Sequence, residues 1–227
     1  MTNRVVTVAV ALVAIMVVSD AIADGDAASP KSAVVWNLDN LKQIGGHAVQ
    51  VVGEPRVIEV DGFKAMQFDG KDDGIFLDVH PLAGAGEFTA EVVFRPDAGG
   101  PAEQRFFHMQ ENGSENRVMF ETRVTKDGEW FLDTHIQSGE AGFTLFAEKH
   151  KHPVGRWYHA ALVVDGKEMR HYVDGKLEMA TPITYRPQAA GRTSLGVRQN
   201  KVFWFQGAIR TARFTRGVLE PKSFLKP

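Results

Sequence analysis

From about residue 33 onward the chain consists of short runs rich in Val, Phe, Thr and Tyr, cut by the turn signals VDGF, DGKDDG, KDGE and VDGK. Nothing in this stretch sustains an apolar period of 3.6 residues. Turns recurring roughly every 8–12 residues instead predict many short antiparallel strands closing as a sandwich or barrel. The expected strands are AVQVVG, RVIEV, KAMQFD, GIFLDV, FTAEVVFRP, RFFHMQ, RVMFETR, EWFLDTHI, FTLFAE, RWYHAALVVD, MRHYVDG, RTSLGVR and FWFQGAIRTARFT. About thirteen such strands suit an all-β fold of two stacked sheets. The chain has no cysteine, so a packed core rather than disulfides must hold it together.

The N-terminus follows different rules. MTNR gives a basic start, VVTVAVALVAIMVV (Val5–Val18) an apolar run, and Ala21 and Ala23 a small-residue cleavage site. This is the pattern of a secretory signal peptide over residues 1–23. The apolar run is about 14 residues long, short of the ~20 that a membrane helix needs. The expectation is a cleaved, secreted or periplasmic protein with a polar lead-in over 24–32, one domain over 33–227, and no membrane span after cleavage. A net charge of −2 and a pI near 6.4 lack the basic excess expected of a nucleic-acid partner. No P-loop, dinucleotide fingerprint, nucleophile elbow or HExxH motif is present.

Four landmarks then fall in a familiar order. KAMQFDGKDDGIFLD (Lys64 to Asp78), FTAEVVFRP (Phe88 to Pro96), RWYHAALVVDGKEMRHYVDGKLE (Arg156 to Glu178) and TSLGVR with FQGAIRTARFTRGVLEPKSF (Phe205 to Phe224) resemble laminin-G-like, concanavalin A-like jelly rolls. The resemblance implies a two-sheet jelly-roll sandwich and a family containing glycan binders, adhesion modules and carbohydrate-active enzymes, so fold alone does not fix function. One departure is that Arg210 follows GAI where the family usually carries an acid.

EQRFFHMQENGSENRVMFETR (Glu103 to Arg123) carries far more charge than a hairpin needs. Strand alternation sends Phe107, Met109, Val118, Phe120, Trp130 and Leu132 to a core. It gathers Gln104, Phe106, His108, Gln110, Glu121, Arg123, Phe131, Asp133 and His135 on the opposite face, with Arg198 at its rim. In this register Gln110 opposes Arg117, His108 opposes Met119, Gln104 opposes Arg123, and Glu121 opposes Asp133 or Phe131. Polar groups interleaved with rings suit an oligo- or polysaccharide. The face lacks Lys and uses Arg, His and Gln, whose fixed donors suit recognition; an ion-paired outer face without function is the alternative.

Catalysis on the same face would use Glu121, Asp133, His135, Arg123 and His108. Two carboxyls about 5–5.5 Å apart suit a retaining glycosidase, but the E-x-D-x-x-E strand of the related glucanases is absent. A polysaccharide lyase would use Arg123 or Gln110 on a uronate carboxylate, with His108, His135, Tyr158 or Tyr172 taking the proton. The R-x-E-x-R and Q-x-H strands of jelly-roll alginate lyases do not occur. A protein-adhesion or envelope-assembly module is the non-glycan alternative.

Asp69, Asp72 and Asp73 in DGKDDG are weak candidate Ca2+ ligands, a cation that the resemblance implies for many laminin-G-like domains. His150 and His152, with Glu148, are candidate Zn or Cu ligands without an identifiable further one. His159 and His171 read as hydrogen-bonded sandwich residues, and Trp157 and Tyr172 as core anchors. Asn200 and Trp204 could add a donor and a stacking ring beside Arg198.

Overall fold

The structure is a computed structural model that describes Met1 and residues 32–227. The expected signal peptide and most of the polar lead-in lie outside the described residues. In chain order the strands are β1 (Ala33–Asn37), β2 (Gln43–Ile44), β3 (His47–Ala48), β4 (Gln50–Val52), β5 (Arg56–Val60), β6 (Phe63–Asp69), β7 (Gly74–Leu77), β8 (Phe88–Pro96) and β9 (Glu103–Glu111). They continue as β10 (Arg117–Val124), β11 (Glu129–Ser138), β12 (Ala141–Phe146), β13 (His152–Pro153), β14 (Tyr158–Val164), β15 (Glu168–Val173), β16 (Lys176–Pro182), β17 (Gly191–Leu195) and β18 (Gln206–Arg216). EKHKHP, expected as a loop, contributes β13. The last strand begins at Gln206 rather than Phe203 because residues 197–205 form a loop.

Two eight-stranded sheets result. One runs β16-β15-β14-β8-β18-β6-β5 with β1 also on β18; the other runs β12-β11-β10-β9-β17-β7-β4 with β13 on β11. The pairings that build them are antiparallel. β2 and β3 form a separate hairpin.

Alternation supplies the core. β8 turns Phe88, Ala90, Val92 and Phe94 inward, and β14 turns Tyr158, Ala160, Leu162 and Val164 to meet them. From the other sheet come Phe107, Met109, Val118, Phe120, Trp130 and Leu132, all six buried in the inter-sheet core as expected. Each buried large apolar side chain contributes about 1.5–3 kcal/mol relative to exposure, so this layer can replace disulfides. On the far side of the first sheet, Phe224, Val218 and Leu219 pack on Ala161, Val163 and Tyr172. Beneath that segment Glu91 accepts bonds from His159, Arg213 and the Leu225 amide. Among the described residues no helix is long and apolar enough to cross a membrane.

Candidate functional site

The outer face of β9–β11 departs from simple alternation at one point. A bulge between Phe120 and Glu121 sets Phe120 opposite Phe107 but Glu121 opposite Arg105. Phe106 is the extra residue. Contrary to expectation it joins the core, stacked on Phe94 with ring centroids 4.2 Å apart. The phase of β9 therefore reverses. Gln104, expected on the charged face opposite Arg123, pairs with Thr122 instead and is buried, donating to the Pro101 carbonyl and accepting from the Gln206 amide. Glu103 and Arg105 take its place. The adjacent apolar pair Phe106-Phe107 was the local signal, because two successive inward rings require an inserted residue.

Four cross-strand rows make up this face. Glu103, Arg123 and Phe131 form the first, and Arg105, Glu121, Asp133 and Phe146 the second. The third runs Gln50, Phe76, Ser194, His108, Met119, His135 and Thr144, and the fourth Arg192, Gln110, Arg117, Gln137 and Gly142. Glu121 thus opposes Asp133, one of the two expected registers.

The first two rows form an ion-paired block. Arg123 binds Asp133 Oδ2 at 2.7 Å, Glu121 Oε2 at 3.4 Å and Glu103 Oε2 at 2.8 Å. Arg105 binds Glu121 Oε2 at 2.8 Å and also Glu103. Glu121 and Asp133 are each only 2 % exposed. Burial, reinforced by the facing Asp133, pushes Glu121 up to about 7. Burial also raises Asp133, against the pull of its Arg123 hydrogen bond. Phe203 lies under the Arg105 guanidinium at 3.8 Å, and Phe146 lies near that of Arg123 and edge-on to Phe131. Phe146 remains 44 % exposed.

The other two rows offer donors. His108 is 1 % exposed, yet it stays outside the inter-sheet core because the loop over residues 197–205 folds across it. That loop leaves β17 at Gly196, where φ is +77° and an added Cβ would strike Phe68. It then holds Lys201 and Phe203 at φ +59° and +62°, left-handed conformations that are costly for residues with a Cβ. The Phe203 carbonyl accepts the Arg105 amide, which anchors the strained turn. The Gln199 amide donates to His108 Nδ1 at 3.0 Å, so the ring proton sits on Nε2. Burial, with the charges of Arg198, Arg117 and Arg105, lowers His108 to about 3. Burial, with Arg117 and Arg198 contributing, lowers His135 to about 4, and His135 Nδ1 pairs with Thr144 Oγ1. Both rings are neutral at pH 7. Arg117 and Gln199 were absent from the expected site, and Gln199 reaches it only through the loop. Arg198, on the same loop, is near enough for its charge to act on His108 and Arg117.

Most of the other candidate residues carry contacts of their own. Asp69, Asp72 and Asp73 bring carboxylate oxygens within 4.8 Å of one another. They line an open groove of about 810 Å3 that also takes in Arg56, Gln67, Asp97 and Gln206. Asp73 accepts the Glu54 and Asp69 amides, and Asp69 those of Lys71 and Asp72, so these carboxylates hold the turn. His152 pairs with Glu178 at 2.7 Å rather than with His150 or Glu148. His159 and His171 are the expected hydrogen-bonded residues, on Glu91 and Thr134. Trp157, expected in the core, is half-buried against Phe63 and Arg95, and Tyr172 belongs to the outer cluster under Phe224. Arg210 lies over the Phe63 ring.

A family profile described as "Concanavalin A-like lectin/glucanases superfamily", of the laminin G type, matches residues 69–223. Comparison with curated protein sequences gives no match. Among solved structures, the chain is similar to domain 4 of an extracellular arabinanase from Geobacillus stearothermophilus, determined in complex with arabinotriose. The TM-score is 0.64 at 18 % identity, over 85 % of this chain and 96 % of that one. It is also similar to the binding domain of botulinum neurotoxin serotype D (TM-score 0.62, 11 % identity, 84 % of this chain and 50 % of that one). The binding domain of Paraclostridial Mosquitocidal Protein 1 is comparable (TM-score 0.63, 12 % identity, 84 % and 50 %). The chain thus spans about half the length of these two toxin domains. At such identities the structural likeness speaks for the fold; with the profile covering most of the chain, the protein belongs to the laminin G-type branch of the concanavalin A-like lectin/glucanase superfamily.

Proposed function

We propose that the chain is an exported carbohydrate-binding module whose ligand lies along the third and fourth rows of the β9–β11 face. The observation that carries this reading is the placing of half-buried Gln110, Arg117 and Gln137 in one cross-strand row and His135 in the next, with the exposed ring of Phe146 one row beyond His135 on the neighbouring strand β12. Fixed donors take hydroxyls and the ring offers a stacking surface. The arabinotriose-bound neighbour supports an oligosaccharide as ligand. Binding is favoured over hydrolysis or lysis because the Glu121 and Asp133 carboxylates are already engaged by Arg105 and Arg123 in an ion-paired block rather than presented as a free acid and base. Export is proposed from the basic start, apolar run and Ala-Ile-Ala site of residues 1–23.

The test is a screen of the mature chain against neutral and uronic-acid polysaccharides, following retention, reducing ends and absorbance of unsaturated uronates. Retention without cleavage is expected. Products that vanish in Glu121→Gln, Arg123→Ala or His135→Ala would replace the binder with an enzyme.

A further inference from the structure

We propose that His108, Arg117, Arg198 and Gln199 form a subsite for one anionic group of an acidic saccharide, either a uronate carboxylate or a sulfate ester. This rests on the carbohydrate-binding reading and adds the chemical class of ligand.

The argument begins with unpartnered donors. His108 Nε2 carries the ring proton, since Nδ1 accepts from Gln199, and it is buried without a hydrogen-bond partner among the described residues. Gln199 Nε2 and Arg117 Nε are buried and unpartnered in the same way. A buried donor without an acceptor costs about 1–3 kcal/mol, and three on one face call for an acceptor supplied from outside.

Charge decides which acceptor. Among the described residues, the guanidinium of Arg117 bonds only to the Glu115 carbonyl and its largely exposed carboxylate. Arg198 has no carboxylate partner among the described residues. Burial and the charge of Arg198 together lower Arg117, which marks the two guanidiniums as neighbours that repel. The acids of this face are held elsewhere, Glu103, Glu121 and Asp133 by Arg105 and Arg123 in the first two rows, and Asp78 by Arg192. The half bearing His108 is thus left with excess positive charge and idle N–H groups. A hydroxyl would satisfy one donor and leave the like charges opposed, whereas a carboxylate or sulfate accepts several N–H bonds and relieves the repulsion. His108 contributes as a neutral donor, not as a cation.

The experiment titrates the mature chain by calorimetry with oligogalacturonate, sulfated dextran oligomers and neutral arabino-oligosaccharides of matched length, at physiological salt. One acidic series should bind about tenfold or more tightly than the neutral one, as expected for charge-assisted bonds, and which series wins separates carboxylate from sulfate. Arg198→Gln, a part-exposed change that should leave the fold intact, is expected to erase that preference, so that the acidic series binds no more tightly than the neutral one. Arg56→Gln removes the same charge on the other sheet and should change neither. Equal affinity for acidic and neutral ligands, or equal effects of the two variants, overturns the subsite while the module reading stands. If no glycan binds, the module reading fails, and the subsite is tested with free glucuronate and inorganic sulfate. Shifts of the His108 ring resonances in wild type that disappear in Arg198→Gln support it, and their absence overturns it.

Discussion

Glu121 and Asp133 stand directly opposite each other on β10 and β11, and one guanidinium, that of Arg123, binds both carboxylates. Two buried acids at this spacing would repel, and the guanidiniums of Arg123 and Arg105 bind them and offset that repulsion. The block acts as a brace that fixes the edge of the donor rows beside it.

Loss of the brace should therefore cost far more than loss of a surface ion pair. Arg123→Met leaves two carboxylates buried with one remaining cation, and is expected to destabilise by about 3–5 kcal/mol. Urea unfolding at pH 7 measures this. A change below about 1 kcal/mol would mean that water reaches the acids freely.

The raised Glu121 pKa predicts an unusual pH dependence. Between its ordinary value and about 7, the folded state binds this proton more tightly than the unfolded chain, so stability from this group falls as pH rises through that window and the cost is complete above it. His108, His135 and His171, lowered by burial to about 3, 4 and 3, act the other way: their contribution is lost as pH falls below the unfolded histidine value. Glu121→Gln isolates the first effect. Its melting temperature should match wild type near pH 5 and exceed it at pH 8. A deficit that grows with pH would show that the ionised carboxylate is the stabilising form.

The bulge makes Phe106 a core ring, whereas Phe146, on β12, stays at the surface. Phe106→Ala should cost about 3–5 kcal/mol, because it empties a site packed on Phe94, Phe120 and Phe205. Phe146→Ala should cost about 1 kcal/mol or less and reduce saccharide binding. Comparable stability losses in chemical denaturation would contradict the inward placing of Phe106.

The Asp69–Asp72–Asp73 turn is expected to hold itself. Four backbone amides bond to Asp69 and Asp73, so adding Ca2+ or a chelator should move the melting temperature by about 1 °C or less. Asp73→Ala, losing two of those bonds, should lower it clearly with or without the ion. A rise of several degrees on Ca2+ addition would assign a cation to the cluster.

Export predicts a mature N-terminus at or close to Asp24. Edman or mass-spectrometric sequencing of protein from the native host checks this. Intact Met1 on membrane-bound material would reject it.

The sequence by itself determined the sandwich. Its period-two runs and Asp-Gly turns leave few other ways to bury so many Phe, Val and Leu, and the six inward residues of β9–β11 followed from alternation alone. It also determined that Glu121 meets Asp133 or its neighbour, because the KDG turn between β10 and β11 is too short to permit much slippage. Two matters were decided only by the tertiary structure. Counting alternate residues cannot register an insertion, so the bulge at Phe106 exchanged Gln104 and Phe106 for Glu103 and Arg105 on the charged face. The fate of that face depended as well on residues 197–205, far along the chain, whose loop crosses it to fix the His108 tautomer and bring up Arg198, Gln199 and Phe203. A strand pattern records which side of a sheet a residue faces, and only the packed chain records what covers that side.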